Sequence, residues 1–154
     1  MKSVLFVCLG NICRSPMAEA VFNNILIKNG VSDSFKVDSA GLIDFHQGEK
    51  ADHRMRAHAE KRNYQITHLA RPVKESDFDV FDYIVGMDEQ NIHQLNRIAK
   101  VSEKQSKIHK MTEFCQDMKA ENIPDPYYGG DKGFEYVIDL LEDACEGLYK
   151  RLTQ

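Results

Sequence analysis

No apolar run in the 154-residue chain approaches the length a membrane crossing requires. Positive charge is also short: 20 Lys and Arg face 24 Asp and Glu, a formal net charge of −4. That balance argues against a general nucleic-acid binder, whose footprint would be basic. It leaves an anionic substrate open, because such a ligand needs only a local positive field. Cysteine is scarce, and none of the four (Cys8, Cys13, Cys115, Cys145) lies in the long stretch between Cys13 and Cys115. The Cys8-x4-Cys13 spacing is unusual for zinc, and neither Cys115 nor Cys145 brings a close partner, so no metal and no cofactor are expected. The opening apolar run is too short for a signal peptide, and Gly10-Asn11 follows where a cleavage site should be. Free thiols without an export signal point to a cytoplasmic protein. Repeats, low-complexity segments and linkers are missing too, so residues 1–154 read as one domain. At that length about 68–70% of the unfolded surface can be buried without a disulfide or metal staple.

What is present alternates short apolar runs with amphipathic stretches. Val4 to Cys8 reads as a buried strand, and Phe35 to Asp38 as a second one leading to Ser39-Ala40-Gly41. Phe81 to Met87 reads as a third, and Lys107 to Met111 as a weaker fourth. Between them, Met17, Ala20, Val21, Asn24 and Ile25 follow helical spacing up to Asn29-Gly30. Residues 50–62 form a charged surface helix, and Asp88 caps a helix carrying Ile92, Leu95 and Ile98. Phe134, Val137, Ile138, Leu141, Ala144, Cys145, Leu148 and Leu152 make the apolar stripe of a final helix. Such alternation predicts an α/β fold: three layers, α/β/α, around a mostly parallel sheet of about four strands. Ligands of these sheets bind beyond the carboxyl ends of the strands, where the loop after the first strand lies.

That loop, Cys8-Leu9-Gly10-Asn11-Ile12-Cys13-Arg14-Ser15-Pro16, carries the chemistry. A lone cysteine in an apolar strand is ordinarily a small core residue. Here it faces a strand-to-helix loop of backbone N–H groups, a helix N-terminus and a guanidinium, which together suit an oxyanion. Gly10 permits backbone angles that turn amides inward, and Arg14 offers a planar fork for phosphate. The same field favours the thiolate, making Cys8 a nucleophile. Ser15 reads both as hydrogen-bond donor to that sulfur and as helix N-cap, with Pro16 at the first helical position. The loop is no ATP-binding P-loop, since the Gly-Lys-Ser/Thr ending is absent. Thiolate attack on a phosphoester needs an acid for the leaving oxygen. Alone, Asp125 would be a turn aspartate. Set between Pro124 and Pro126, and followed by Tyr127, Tyr128 and two glycines, it is the candidate acid, with aromatic walls for a flat substrate.

These two segments resemble the low-molecular-weight protein tyrosine phosphatase family. Asp38–Gly41, Thr67-His68-Leu69-Ala70-Arg71 and the stretch from Phe81 to Asp88 extend the likeness over nearly the whole chain. The resemblance implies metal-independent hydrolysis of phosphotyrosine and small aryl phosphates through a phosphocysteine on Cys8. It implies that Arg14 and the amides of Leu9, Gly10, Asn11, Ile12, Cys13, Arg14 and Ser15 bind the phosphoryl group, and that Asp125 acts as general acid and base. Asn11, held by Ser39 and His68, would lock the loop together with Ser15, and Asp88 would be a structural cap near Asp125. Leu9, Ile12, Phe45 and Tyr127 would line the substrate cleft. Phe45 stands where the family commonly has Trp or Tyr, and His46 is an unusual rim residue whose protonation would attract acidic phosphopeptides. Cys13 would form a reversible disulfide with Cys8 under peroxide. Tyr127 and Tyr128 are candidates for phosphorylation themselves. Implied partners are tyrosine-phosphorylated proteins or peptides, with inorganic phosphate as product and inhibitor, no nucleic acid and no membrane. A monomer or weak self-association is expected.

Three rivals bear comparison. An arsenate reductase sharing this fold needs relay cysteines in the central stretch, which has none. An arginine phosphatase of the same family usually has Thr where Ile12 stands. A phosphotyrosine-binding module would need no acid at Asp125.

Overall fold

Alternating side chains of the first strand divide the hydrophobic interior in two. The structure is a computed structural model and describes residues 1–127 and 129–154; Tyr128, the second tyrosine of the Asp125 segment, lies outside the described residues. β1 (Lys2–Cys8) is buried from Ser3 onward, as a Val/Leu/Phe run is when a parallel sheet covers it on both faces. Val4, Phe6 and Cys8 belong to one hydrophobic cluster, and Leu5 and Val7 to the other.

β2 (Phe35–Gly41) and β3 (Tyr83–Gly86) flank β1, and β4 (Ile108–Lys110) pairs with β3. Every pairing is parallel, in the order β2-β1-β3-β4, so the expected mostly parallel sheet is wholly parallel. α1 (Arg14–Lys28) links β1 to β2, while α2 (His53–Lys61) and α3 (Asp77–Val80) precede β3. α4 (Glu89–Ala99) and α5 (Ser102–Gln105) precede β4, and α6 (Asp131–Thr153) ends the chain. On the Phe6 face, Met17, Val21 and Phe22 of α1 pack with Val137, Leu141 and Leu148 of α6. On the other face, Phe78 and Phe81 with Leu95 and Ala99 of α4 cover Leu5 and Val7. Each fully buried Leu or Phe contributes roughly 1.5–3 kcal/mol. No helix of the described residues is long and apolar enough to cross a membrane.

α2 is bolted to α6. The buried His58 ring stacks parallel on Phe134 with centroids 5.5 Å apart, its Nδ1 meets Glu135, and its Nε2 lies 3.2 Å from Asp131. Arg62 adds contacts to Glu135, Asp139 and Glu142. The first turn of α6 is thereby fixed just after the Asp125 segment.

Several boundaries differ from the sequence pattern. α1 begins at Arg14, with Cys13 at the cap position and no side-chain cap bond. Ser15 is thus inside the first turn, and Pro16 is not the first helical residue. The reason is chemical: the Ser15 hydroxyl turns into the loop toward Cys8 and Asn11 instead of toward the helix amides. β2 runs on to Gly41, and β3 is trimmed to Tyr83–Gly86. The short α3 and α5 have too few residues to show a helical period. The chain leaves β1 first for β2 on one side and later for β3 on the other, so the strand order reverses at β1. The loop after β1 therefore opens at the switch point, where α/β sheets leave a crevice.

Candidate active site

The strand end delivers Cys8 to the base of the loop, 3% exposed. Its Sγ lies 3.0 Å from Ser15 Oγ. That hydroxyl already accepts a hydrogen bond from Asn11 Nδ2 at 2.8 Å, which leaves its single proton to donate to sulfur. Among the described residues the amides of Leu9 to Cys13 donate to no protein acceptor. Arg14 and Ser15 open a helix, whose first amides have no intrahelical partner. Seven successive N–H groups are thus free to meet an anion.

The backbone strain sits at Asn11, not at Gly10. Asn11 has φ 58°, while Gly10 is absent from the positive-φ positions. The expectation that Gly10 supplies unusual backbone angles is therefore corrected. Its missing side chain makes room instead, since an added Cβ would lie 3.2 Å from His46 Cδ2. Asn11 is pinned by its own amide group. Nδ2 also donates to Ser39 Oγ at 3.1 Å, while Oδ1 accepts from His68 Nε2 at 2.8 Å and from the Arg71 N–H at 3.0 Å. Gly41 lets β2 close against this arrangement, with an added Cβ only 3.0 Å from Asn11 Cβ.

Behind Asn11, His68 Nδ1 faces Glu19 and Asp38, each at 3.3 Å. Ser39 Oγ donates to Glu19 at 2.7 Å. Burial pushes the Glu19 carboxyl up to about 7, against the Ser39 hydrogen bond, and pulls His68 down against Asp38. With both ring nitrogens facing acceptors, at least one proton is retained in the cluster. Glu19, Asp38 and His68 are the one group among the described residues whose ligand atoms converge as for a cation, within 4.8 Å of one another. Each is already engaged within the protein, Asp38 by Arg71 as well, and none lines the cleft.

Arg14 is 3% exposed and doubly anchored, with Nη1 donating to Asp88 Oδ2 at 2.7 Å and to the Ile123 carbonyl at 3.0 Å. Burial opposes its charge, but Cys8, Asp88 and Asp125 hold the guanidinium more firmly protonated than usual. Asp88 does two jobs: Oδ1 caps α4 through the Asn91 N–H at 2.8 Å, and Oδ2 holds Arg14. Asp125, with its side chain 43% exposed, reaches within 3.6 Å of Arg14 Nη2. Its Oδ1 accepts the Tyr127 N–H at 3.0 Å.

A thiol, a buried guanidinium, a ring of amides and a half-exposed carboxyl thus share one cleft of about 270 Å³. The sequence profile described as low molecular weight phosphotyrosine protein phosphatase matches residues 3–154. The chain belongs to this family. It is a phosphatase of the low molecular weight protein-tyrosine class. The rat low molecular weight phosphotyrosine protein phosphatase is 40% identical over 151 residues, 97% of this chain and 95% of the rat protein. The crystal structure of a protein tyrosine phosphatase from Entamoeba histolytica matches with TM-score 0.96 at 47% identity, over 99% of this chain and 97% of that one. That of a Drosophila arginine phosphatase matches with TM-score 0.92 at 33% identity, over 100% and 99%.

The phosphatase's cleft mouth is apolar and aromatic. Leu9, Ile12, Phe45 and Tyr127 all line it, and Phe45 is 79% exposed. Ile43, which no motif singled out, completes the wall. Its place two residues beyond the end of β2 is the available signal. Arg54 was equally hidden. It lies 5.1 Å from the Tyr127 ring and 5.0 Å from Phe134, held by Asp52 at 3.1 Å, and so braces one wall of the phosphatase's cleft. Cys13 also lines the cleft, its thiol pushed well above the ordinary range by burial, with Asp52, Cys8 and Asp125 adding to it. Cys115 and Cys145 are elsewhere, Cys145 buried on α6 against the Ala18 carbonyl.

Proposed function

We propose that the protein hydrolyses phosphotyrosine side chains and small aryl phosphates in two steps through a phosphocysteine on Cys8. The phosphoryl oxygens lie on the amides of residues 9–15 and the Arg14 guanidinium, which concentrate positive potential where charge is carried in the transition state. The Cys8 thiolate forms the S–P bond as the P–O bond to the phenol breaks, and Asp125 gives its proton to the departing oxygen. Asp125, now a carboxylate, takes a proton from water as that water attacks phosphorus and releases the sulfur. The Ser15 hydroxyl stabilises the thiolate at both ends of the cycle. No metal or cofactor enters. The observation that supports this reading most is that Cys8, Arg14 and Asp125 line one cleft with Ser15 on the sulfur.

Phosphotyrosine is favoured over phosphoarginine by Ile12, an apolar side chain at the cleft where an arginine phosphatase usually carries Thr. The aromatic rim suits the flat phenol ring. Arsenate reduction is disfavoured because neither Cys115 nor Cys145 lines the cleft to relay a disulfide. Cys13, kept protonated by burial, would serve as resolving thiol only after Cys8 is oxidised.

The test is a leaving-group series in excess EDTA. Wild type should retain full activity, and phosphotyrosine peptide should be turned over faster than phosphoarginine peptide. Asp125→Ala should lose about 10²–10⁴-fold on poor leaving groups and far less on good ones. An equal loss across the series would remove Asp125 from the acid role, and loss of wild-type activity on chelation would overturn the metal-free mechanism.

A further inference from the structure

A second hollow, of about 430 Å³, lies against the catalytic cleft and shares walls with it. Ile12, His46 and Tyr127 face both spaces. A peptide whose phosphotyrosine enters the first must therefore run along the rim of the second or directly away from it. Charge dominates the remaining lining of the second hollow, and the two acids in it are already engaged. Asp52 accepts the Arg54 and Met55 amides at the start of α2 and pairs with the Arg54 side chain. Glu49 sits 3.0 Å from His46 Nδ1. Lys50, His53 and Arg56 have no ion pair among the described residues, and Arg56 gives only its Nε, to the Ala51 carbonyl at 2.9 Å. The rim is not a loose loop. The Asp52 N–H donates to the Ile12 carbonyl at 2.8 Å, the Gly48 N–H to Ala70 at 2.8 Å, and Lys50 bridges Leu69. The unpaired cations are thus carried on backbone tied directly to the phosphate loop.

We propose that this hollow is a second anion subsite, which takes an acidic side chain flanking the phosphotyrosine in the same substrate. A glutamate, an aspartate or a second phosphorylated residue offers the required chemistry. The subsite rests on the phosphotyrosine reading above and narrows it to acidic sequences. Its field is local: the molecule as a whole is net negative, so selection acts at the rim through Lys50 and Arg56. Lys50 is exposed and Arg56 half-buried at the rim of the hollow, so salt screens their contribution.

The experiment measures kcat/KM for otherwise identical phosphotyrosine peptides carrying alanine, glutamate or phosphoserine on either side of the phosphotyrosine. Low and high salt are compared in wild type, Lys50→Glu and Arg56→Gln. Wild type should prefer an acidic peptide over the alanine peptide by roughly fivefold to tenfold at low salt, as a few exposed charge pairs allow. The preference should shrink in high salt and collapse toward unity in Lys50→Glu. Taking the ratio within each variant cancels any general loss of folding or turnover. The glutamate and phosphoserine peptides tell carboxylate from phosphate recognition. Equal turnover of acidic and alanine peptides by wild type, or a preference intact in both variants, overturns the subsite alone. Failure to turn over any of the peptides overturns the phosphotyrosine reading, and the subsite with it.

Discussion

Asn11 holds a left-handed backbone, at φ 58°, that costs a non-glycine residue roughly 1–2 kcal/mol. Its side chain offsets this with bonds to Ser15, Ser39, His68 and the Arg71 amide. The strain keeps neighbouring amides turned toward one point, and the same side chain fixes the hydroxyl that serves Cys8. Asn11→Ala should leave the protein folded, because Asn11 belongs to neither hydrophobic cluster, while the cradle loses its preorganisation. We expect kcat/KM on aryl phosphates to fall on the order of 10²-fold, with weaker inhibition by phosphate and vanadate. Steady-state kinetics with inhibitor titrations reads both. Unchanged inhibitor affinity would mean that the amides hold their geometry without Asn11.

At the level of elements, the α2–α6 contact fixes the start of α6, which follows the Asp125 segment. His58 stacks on Phe134 and meets Asp131 and Glu135, one short segment after Asp125. His58→Ala removes a buried ring and two polar ties, and should destabilise the protein by about 1–3 kcal/mol in denaturant unfolding. His58→Phe keeps the stack and loses only the ties. If the ties position the acid segment, His58→Phe should still slow substrates with poor leaving groups more than those with good ones. A uniform rate across leaving groups in that variant would confine His58 to packing. Elements were also where the sequence spoke most clearly. The Val4–Cys8 run and the stripe from Phe134 to Leu152 are buried as their patterns require, because burial on two faces or one stripe imprints a period. The start of α1 was less legible: a serine before a proline matches a cap by propensity, but at Ser15 the sulfur and Asn11 take the hydroxyl.

Over the whole molecule, a parallel sheet whose order reverses at β1 brings residues distant in sequence to one crevice. Cys8 arrives at a strand end, Arg14 at a helix start, Asp88 at another helix cap, and Asp125 on the segment before α6. That Cys8, Arg14 and Asp125 share one cleft was legible as an expectation because each candidate sits in a compact motif with its own local logic. The Asp88–Arg14 pair, the Arg54 brace on Tyr127 and the Ile43 wall were not, since each joins residues that no local pattern links. The two-step mechanism makes one chemical claim that the fold alone does not carry: phosphorus is bonded to Cys8 during turnover. Rapid acid quench of the reaction with an aryl phosphate, followed by peptide mass analysis, tests it directly. A phosphoryl group on the peptide containing Cys8, absent in Cys8→Ser and accumulating in Asp125→Ala with a good leaving group, is the predicted result. Product release with no phosphorylated Cys8 at any quench time, or a phosphoryl group on another residue, would contradict it.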